Sequence, residues 1–170
     1  MQSIDNEEGV RLLISSKIPE FNRWRMNNLN ITPHISGKDF SGADLSGAYL
    51  NGVIAEDTEF LHSNLSKINL VQAKLNGSSF EGANMTEALF MYAEMKKCIL
   101  VNANMSRTNF MFANLQNSDL SSSKIFRTIF VGSDLRDVIF SDIDRSQMYL
   151  KNAKVEGSLS NKSNSPVNGP

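Results

Sequence analysis

Phe80–Leu115 reads FEGANMTEALFMYAEMKKCILVNANMSRTNFMFANL, and every fifth residue of it, counted from Phe80, is Phe, Leu or Met. An amphipathic helix would repeat its apolar residues every 3.6 positions and a half-buried strand every second position, so neither regular element explains the stretch. The same step continues in both directions. From Phe40 to Val155 it picks out 24 positions, of which Arg145 alone is polar. A fixed period kept over most of a chain marks a solenoid, in which small similar units bury a core only by stacking.

Two residues before each of these centres lies a column of small side chains, including Ala43, Ala48, Ser63, Ala73, Ala83, Cys98 and Ala103. The residue between that column and the centre is often Asn or Asp, as at Asp44, Asn64, Asn84, Asn104 and Asn114. Eight of the ten glycines, from Gly37 to Gly157, fall two places after a centre, where a turn with positive φ favours glycine. The repeating unit is a corner.

The pattern A-[DN]-[LF]-x-x, seen in GADLS, GANMT and NANMS and kept over roughly residues 36–157, resembles the pentapeptide-repeat family. The resemblance implies an all-β fold, a right-handed quadrilateral parallel β-helix. Four pentapeptides make each coil, with the centre and the small residue pointing inward and the other three residues outward. Twenty-four pentapeptides give about six coils, a rod roughly 29 Å long at the 4.8 Å spacing of paired strands. All seven central Phe residues fall on alternate centres. Large rings are therefore expected on two opposed faces and slimmer side chains on the other two, as close packing of a square interior requires.

The register never slips between Phe40 and Phe140, so no loop is expected to interrupt the repeats. Residues 1–35 read as a short N-terminal helical cap: Asp5–Lys17 has an acidic start, apolar Val10, Leu12, Leu13 and Ile14, and a basic end, although Gly9 weakens it as a helix. FNRWR (Phe21–Arg25) and PHISGKDF are similar to segments that precede the repeats in members of the family, which implies that Phe21 and Trp24 cover the first coil. Residues 36–157 form the solenoid, and the Ser-, Asn- and Pro-containing tail 158–170 is expected to be disordered. A guanidinium at a core centre is costly, so the coil is expected to distort at Arg145 and turn that side chain outward.

Charge and cysteine content exclude several function classes. The formal net charge is -1, so no global field draws nucleic acid or an anionic membrane. The one cysteine cannot form an internal disulfide, and the N-terminus lacks the basic start and apolar run of a secretory signal, so the cytoplasm is the expected location. No apolar stretch approaches the roughly 20 residues of a membrane span. His34 and His62 stand in no metal-ligand spacing, Cys98 sits in the small inward column, and Asp142 and Asp144 occupy turn and Asn/Asp positions of the repeat. No enzymatic activity, catalytic residue, metal or other cofactor is expected.

Sorting the outward residues by face separates their chemistry. The face centred on Leu45, Leu65, Met85 and Met105 carries Asn64, Asn84, Asn104, Ser66 and Thr86, a polar ladder, and the face centred on Leu75, Met95, Leu115 and Leu135 carries Lys74, Glu94, Lys96, Lys97, Arg136 and Asp137, a mixture of signs. The face centred on Leu70, Phe90, Phe110 and Phe130 differs. Its outward residues include Val71, Leu89, Met91, Tyr92, Met111, Phe112, Ile129 and Val131, the candidate interface, with Val71, Met91, Met111 and Val131 forming one exposed column. These residues point to a non-catalytic protein-protein interaction or scaffold module, its partner another protein or a second copy of itself. No direct binding of nucleic acid, membrane or small-molecule substrate is expected.

The alternative comes from the resemblance, since some members of the family imitate duplex DNA and protect a type II topoisomerase, gyrase, from inhibitors. Between Gly37 and Gly157 the chain has 14 acidic and 12 basic residues. Duplex DNA carries roughly 17 negative charges over 29 Å. Mimicry would need a strongly one-sided arrangement, and the signs on the faces sorted above are mixed.

Overall fold

The computed structural model describes residues 2–158. Two helices, α1 (Gln2–Ile14) and α2 (Ile18–Asn27), precede the repeats. From His34 onward the chain winds as a right-handed four-sided β-helix, with parallel bridges between residues 20 apart, from His34↔Ile54 through Lys74↔Glu94 to Asp134↔Lys154. The ladder thus starts two residues ahead of the boundary expected at 36, with Ile35 as the first buried centre. Along the stack a centre donates its N–H forward to the next coil, as Phe90 does to Asn109 (2.8 Å), and from Ile54 on the residue before a centre donates backward, as Leu89 does to Ile68 (2.9 Å).

The four faces are named here by their centres. Face A holds Phe40, Phe60, Phe80, Leu100, Leu120 and Phe140; face B runs from Leu45 to Ile125; face C holds Leu50, Leu70, Phe90, Phe110, Phe130 and Leu150; face D runs from Ile35 to Val155. From Phe40 to Phe140 every centre is buried. The rings stack along the axis on opposed faces, but in turn. Phe40, Phe60 and Phe80 stack on face A at 5.7 and 5.1 Å, Phe90, Phe110 and Phe130 on face C at 5.1 and 5.0 Å, and the two stacks meet edge-on between Phe80 and Phe90 at 5.9 Å. In the sequence a ring on one face is matched by Leu on the other on either side of that changeover, the pairing that fills a cross-section of fixed width.

The hydroxyls of the small column are satisfied chemically as well as sterically, except at Ser123, whose Oγ is buried without a partner. Some reach back to the carbonyl of a centre in the preceding coil, as Thr108 does to Met85, Ser118 to Met95 and Thr128 to Met105, each at 2.7 Å, while Ser63 and Ser133 donate to Phe60 and Phe130 in their own coil. The Asn/Asp column closes the corner, because each side chain accepts the N–H two residues on, as Asp44 does from Ser46 (3.0 Å) and Asn109 from Met111 (2.9 Å). Apart from Gln147, the corner residue itself is left-handed from Gly37 to Gly157, at eight glycines and 16 other residues. That conformation costs an ordinary residue about 1–2 kcal/mol, a cost the inter-coil ladder must offset.

The N-terminal helices cover the open end of the rod. Helix α1 begins and ends three residues earlier than the expected Asp5–Lys17 span. Ser16 turns left-handed (φ 49°), and Lys17 and Ser16 donate to the carbonyls of Leu12 and Leu13, which closes the helix and leaves Lys17 to precede α2. Gly9 is explained by close approach, since the indole of Trp24 lies where a Cβ would project. Phe21 is fully buried and packs 5.6 Å from Trp24. Two asparagines complete the cap. Asn6 of α1 accepts the N–H of His34 (3.1 Å), and Asn22 of α2 accepts from Tyr49 (2.8 Å) while donating to Gly47 (2.9 Å), so side-chain amides stand in for a missing coil.

At the other end, Arg145–Gln147 form a 3-10 helix that lifts Arg145 off the axis, with its guanidinium 4.9 Å from the ring of Phe140. The detour inserts no residue: β1 (Thr128–Ile129) pairs in parallel with β2 (Met148–Tyr149), again 20 apart. The tail beyond Ser158 lies outside the described residues.

Candidate interaction surface

Stacking at 20-residue intervals brings Val71, Met91, Met111 and Val131 into one column of face C. All four are half-buried, less exposed than the sequence reading expects, because each lies against its neighbours in adjacent coils. The exposure is carried by the corner column beside them. Tyr92 and Phe112 are 55% and 49% exposed although both occupy left-handed corners, and their rings stack at 5.1 Å with 16° between planes. The Phe112 ring extends over Gly132, where any Cβ would collide with it. Leu89 and Ile129 are half-buried on the column before the centres, alternating with Asn69 and Asn109, whose side chains are turned back to the N–H groups of Val71 (3.1 Å) and Met111 (2.9 Å).

Face C extends further than the sequence reading took it. Tyr49 and Tyr149, 45% and 53% exposed, stand at the two ends of the Leu89–Ile129 column. One more step of 20 residues from Ile129 finds Tyr149. Between Tyr49 and Tyr149 the three outward columns of face C contain no charged residue.

Face A is its opposite. Its outward columns carry Asp39, Glu59, Glu81, Asp119 and Asp142 and neither Lys nor Arg, and the adjoining corner adds Asp57 and Asp137 against one cation, Lys97. The mixture of signs expected from the other faces therefore fails here: charge is segregated by face. Mixed signs do hold at the corner between faces B and C, where Glu87 pairs with Arg107 (2.6 Å) and approaches Lys67 (4.0 Å).

Among the described residues, Cys98, His62 and His34 do not converge. The Cys98 thiol donates to the Leu75 carbonyl at 3.1 Å, and burial pushes its pKa up to about 12, which keeps it protonated and unreactive. The imidazole of His62 leans over Gly82 at an exposed corner, and the backbone of His34 is held by Asn6. Among the described residues no group of three or more His, Cys, Asp or Glu side chains could hold a metal ion, and no helix is long and apolar enough to cross a membrane. A shallow groove of about 370 Å³ lies between α1 and the first coil, lined in part by Val10, Arg11, Ile14, His34 and Lys38.

A family model described as pentapeptide repeats matches in eight copies, over residues 39–77, 63–107, 88–125 and 103–142. No curated protein matches the chain in sequence. Solved structures do. A pentapeptide repeat protein from the Arabidopsis thaliana thylakoid lumen is 32% identical over 65% of this chain and 68% of that one, with a TM-score of 0.27. QnrB1, a plasmid-mediated fluoroquinolone resistance protein, is 18% identical over 75% of this chain and 86% of that one (TM-score 0.45). HetL, a pentapeptide repeat protein involved in heterocyst differentiation regulation in the cyanobacterium Nostoc sp. strain PCC 7120, is 16% identical over 74% and 82% (TM-score 0.36).

Proposed function

The chain belongs to the pentapeptide-repeat family, and we propose that it is a non-catalytic interaction module that docks a protein through face C. The observation that carries this reading is the absence of charge on face C from Tyr49 to Tyr149, on a chain in which 21% of residues are charged. A continuous apolar strip on an otherwise polar rod is the usual mark of an interface. Methionine and aromatic side chains suit its centre, because they adapt to a partner and bury much area. The proposed setting is the cytoplasm, with which a single, buried, protonated cysteine is compatible.

The test is the double variant Met91→Glu, Met111→Glu. Both residues are outward-facing, so the thermal melt should stay close to wild type while pull-down of a partner or self-association is lost. Unchanged association would sink the reading.

A second reading, imitation of DNA by face A, draws on the single sign of that face. Its five carboxylates, or seven with the corner, stand against roughly 17 phosphates over the same 29 Å of duplex. With under half the charge of its model, the protein should give gyrase no protection from a fluoroquinolone in a supercoiling assay at micromolar concentration. Protection that disappears when Asp119 and Glu81 are changed to Lys would make face A the functional surface instead.

A further inference from the structure

Face C has a symmetry that selects its occupant. Read along the rod, its central column runs Val71, Met91, Met111, Val131, which is the same in either direction. The stacked rings of Tyr92 and Phe112 straddle the same midpoint, and Tyr49 and Tyr149 stand equally far from it at the two ends. The three columns share one centre, between the coils of Phe90 and Phe110. An isologous dimer needs a surface on which residue i meets j and j meets i, and the run Val71–Val131 with its flanking Tyr92 and Phe112 rings supplies the middle of one to an antiparallel copy, with Asn69 set against Ile129 and Asn51 against Lys151 away from that middle.

We propose that face C is a homodimer interface, in which two rods pack antiparallel about a twofold axis that crosses face C between Phe90 and Phe110. The proposal rests on the reading of face C as an interface and names its partner as a second copy of this chain. In that register Met91 meets Met111 of the second copy, Val71 meets Val131, Tyr92 meets Phe112 and Tyr49 meets Tyr149. Charge supports the choice. Face C from Tyr49 to Tyr149 meets itself without repulsion, and Lys151 in its last coil falls opposite the neutral Asn51, whereas face A against itself would oppose carboxylates. At the rim the axis brings Glu87 near Arg107 of the second copy, which is attractive, and Lys67 near Arg127, which is not.

Size and fit set the strength. Six coils with three outward positions each present about 18 residues, fewer than the 20 to 30 a side of a standard interface. Leu89 also meets Asn109, a polar partner. The dimer should therefore be weak, in the micromolar range rather than nanomolar.

Two measurements test the arrangement on the full chain. Sedimentation at rising concentration should move from a species of 18.9 kDa toward twice that mass by about 100 µM, and Met91→Glu with Met111→Glu should hold it at the smaller mass. For register, Val71→Cys and Val131→Cys should form a mixed disulfide dimer under mild oxidation when combined. Neither variant should do so alone, since like positions lie about three coils, or 14 Å, apart, well beyond the roughly 7 Å that a disulfide spans. Buried Cys98 does not compete.

A wild-type monomer at the highest concentration overturns the dimer. If the glutamate variant then still loses a protein that wild type captures, only the choice of occupant has failed. If it loses nothing, the reading of face C as an interface fails with it. A disulfide between two copies of the Val71→Cys variant overturns the antiparallel register.

Discussion

Faces A and C are built on the same backbone. Both have the same forward and backward hydrogen bonds, the same left-handed corners and a stack of phenylalanine rings beneath them. Outside, one is acidic and the other has no charge between its terminal tyrosines. The difference separates two jobs in the sequence. Two residues in five point inward and determine the coil, while the three outward ones are free to carry whatever chemistry a partner requires. Stability should therefore respond alike to interior changes on either face, and binding should respond to exterior changes on one.

The sharpest way to break that comparison is from the inside. Phe60 on face A and Phe110 on face C are both fully buried in the middle of their ring stacks. Phe60→Ala and Phe110→Ala should each cost about 3–5 kcal/mol in a denaturant melt, from lost burial and the cavity left behind. Lys97→Ala, at a solvated corner, should change stability little. A large disparity between the two phenylalanines would mean that one stack alone holds the rod together.

The corners give a smaller and more selective contrast. Gly42, at the corner of face A, has φ 68° and open space beyond it, while Gly132, at the corner of face C, has φ 69° and the Phe112 ring against it. Gly42→Ala should lose about 1–2 kcal/mol from backbone strain alone. Gly132→Ala should lose more, and should also displace Phe112 from its stack with Tyr92. The displacement reaches the proposed interface, so Gly132→Ala should weaken association where Gly42→Ala does not. Equal association of the two variants would remove the aromatic pair from the binding surface.

The solenoid was legible in the sequence because its rule is local and repeated. A five-residue period, a small column and corner glycines are each visible without coordinates, and the distortion at Arg145 follows from the cost of a charge on the axis. What was not legible depended on where the chain comes into contact with itself. The second helix, the capping amides of Asn6 and Asn22, and the reason for Gly9 arise from contacts between segments that share no period. The handover of the ring stack from face A to face C was written in the order of centres, but a ten-residue modulation conceals it. The acidic face was equally readable at 20-residue steps. The nearly cancelling charge totals conceal it, because a total says nothing about how charge is distributed around a rod.

The faintest expected difference between the faces is their response to acid. Asp39 on face A and Asn69 on face C do the same structural work, each accepting the N–H two residues on, from Ser41 at 2.8 Å and Val71 at 3.1 Å. Only one of them titrates. Hydrogen bonds from the Ser41 hydroxyl and then its backbone N–H hold the Asp39 carboxyl below its usual pKa. A carboxylate whose pKa is lower folded than unfolded adds stability that is fully present above the unfolded value, about 3.9, and is lost as pH falls through the folded one. Asp39→Asn keeps the acceptor and removes the proton, as the natural Asn69 does. Wild type should therefore melt slightly above Asp39→Asn at pH 6, and the gap should narrow as pH falls below about 3.9 and through the lower folded pKa. Asn69→Asp is the converse test: it should open a similar gap on face C, where the parent shows none. A gap for Asp39→Asn that stays constant with pH would mean that the carboxylate's charge adds nothing to the corner, and that the acidity of face A is there for a partner rather than for the fold.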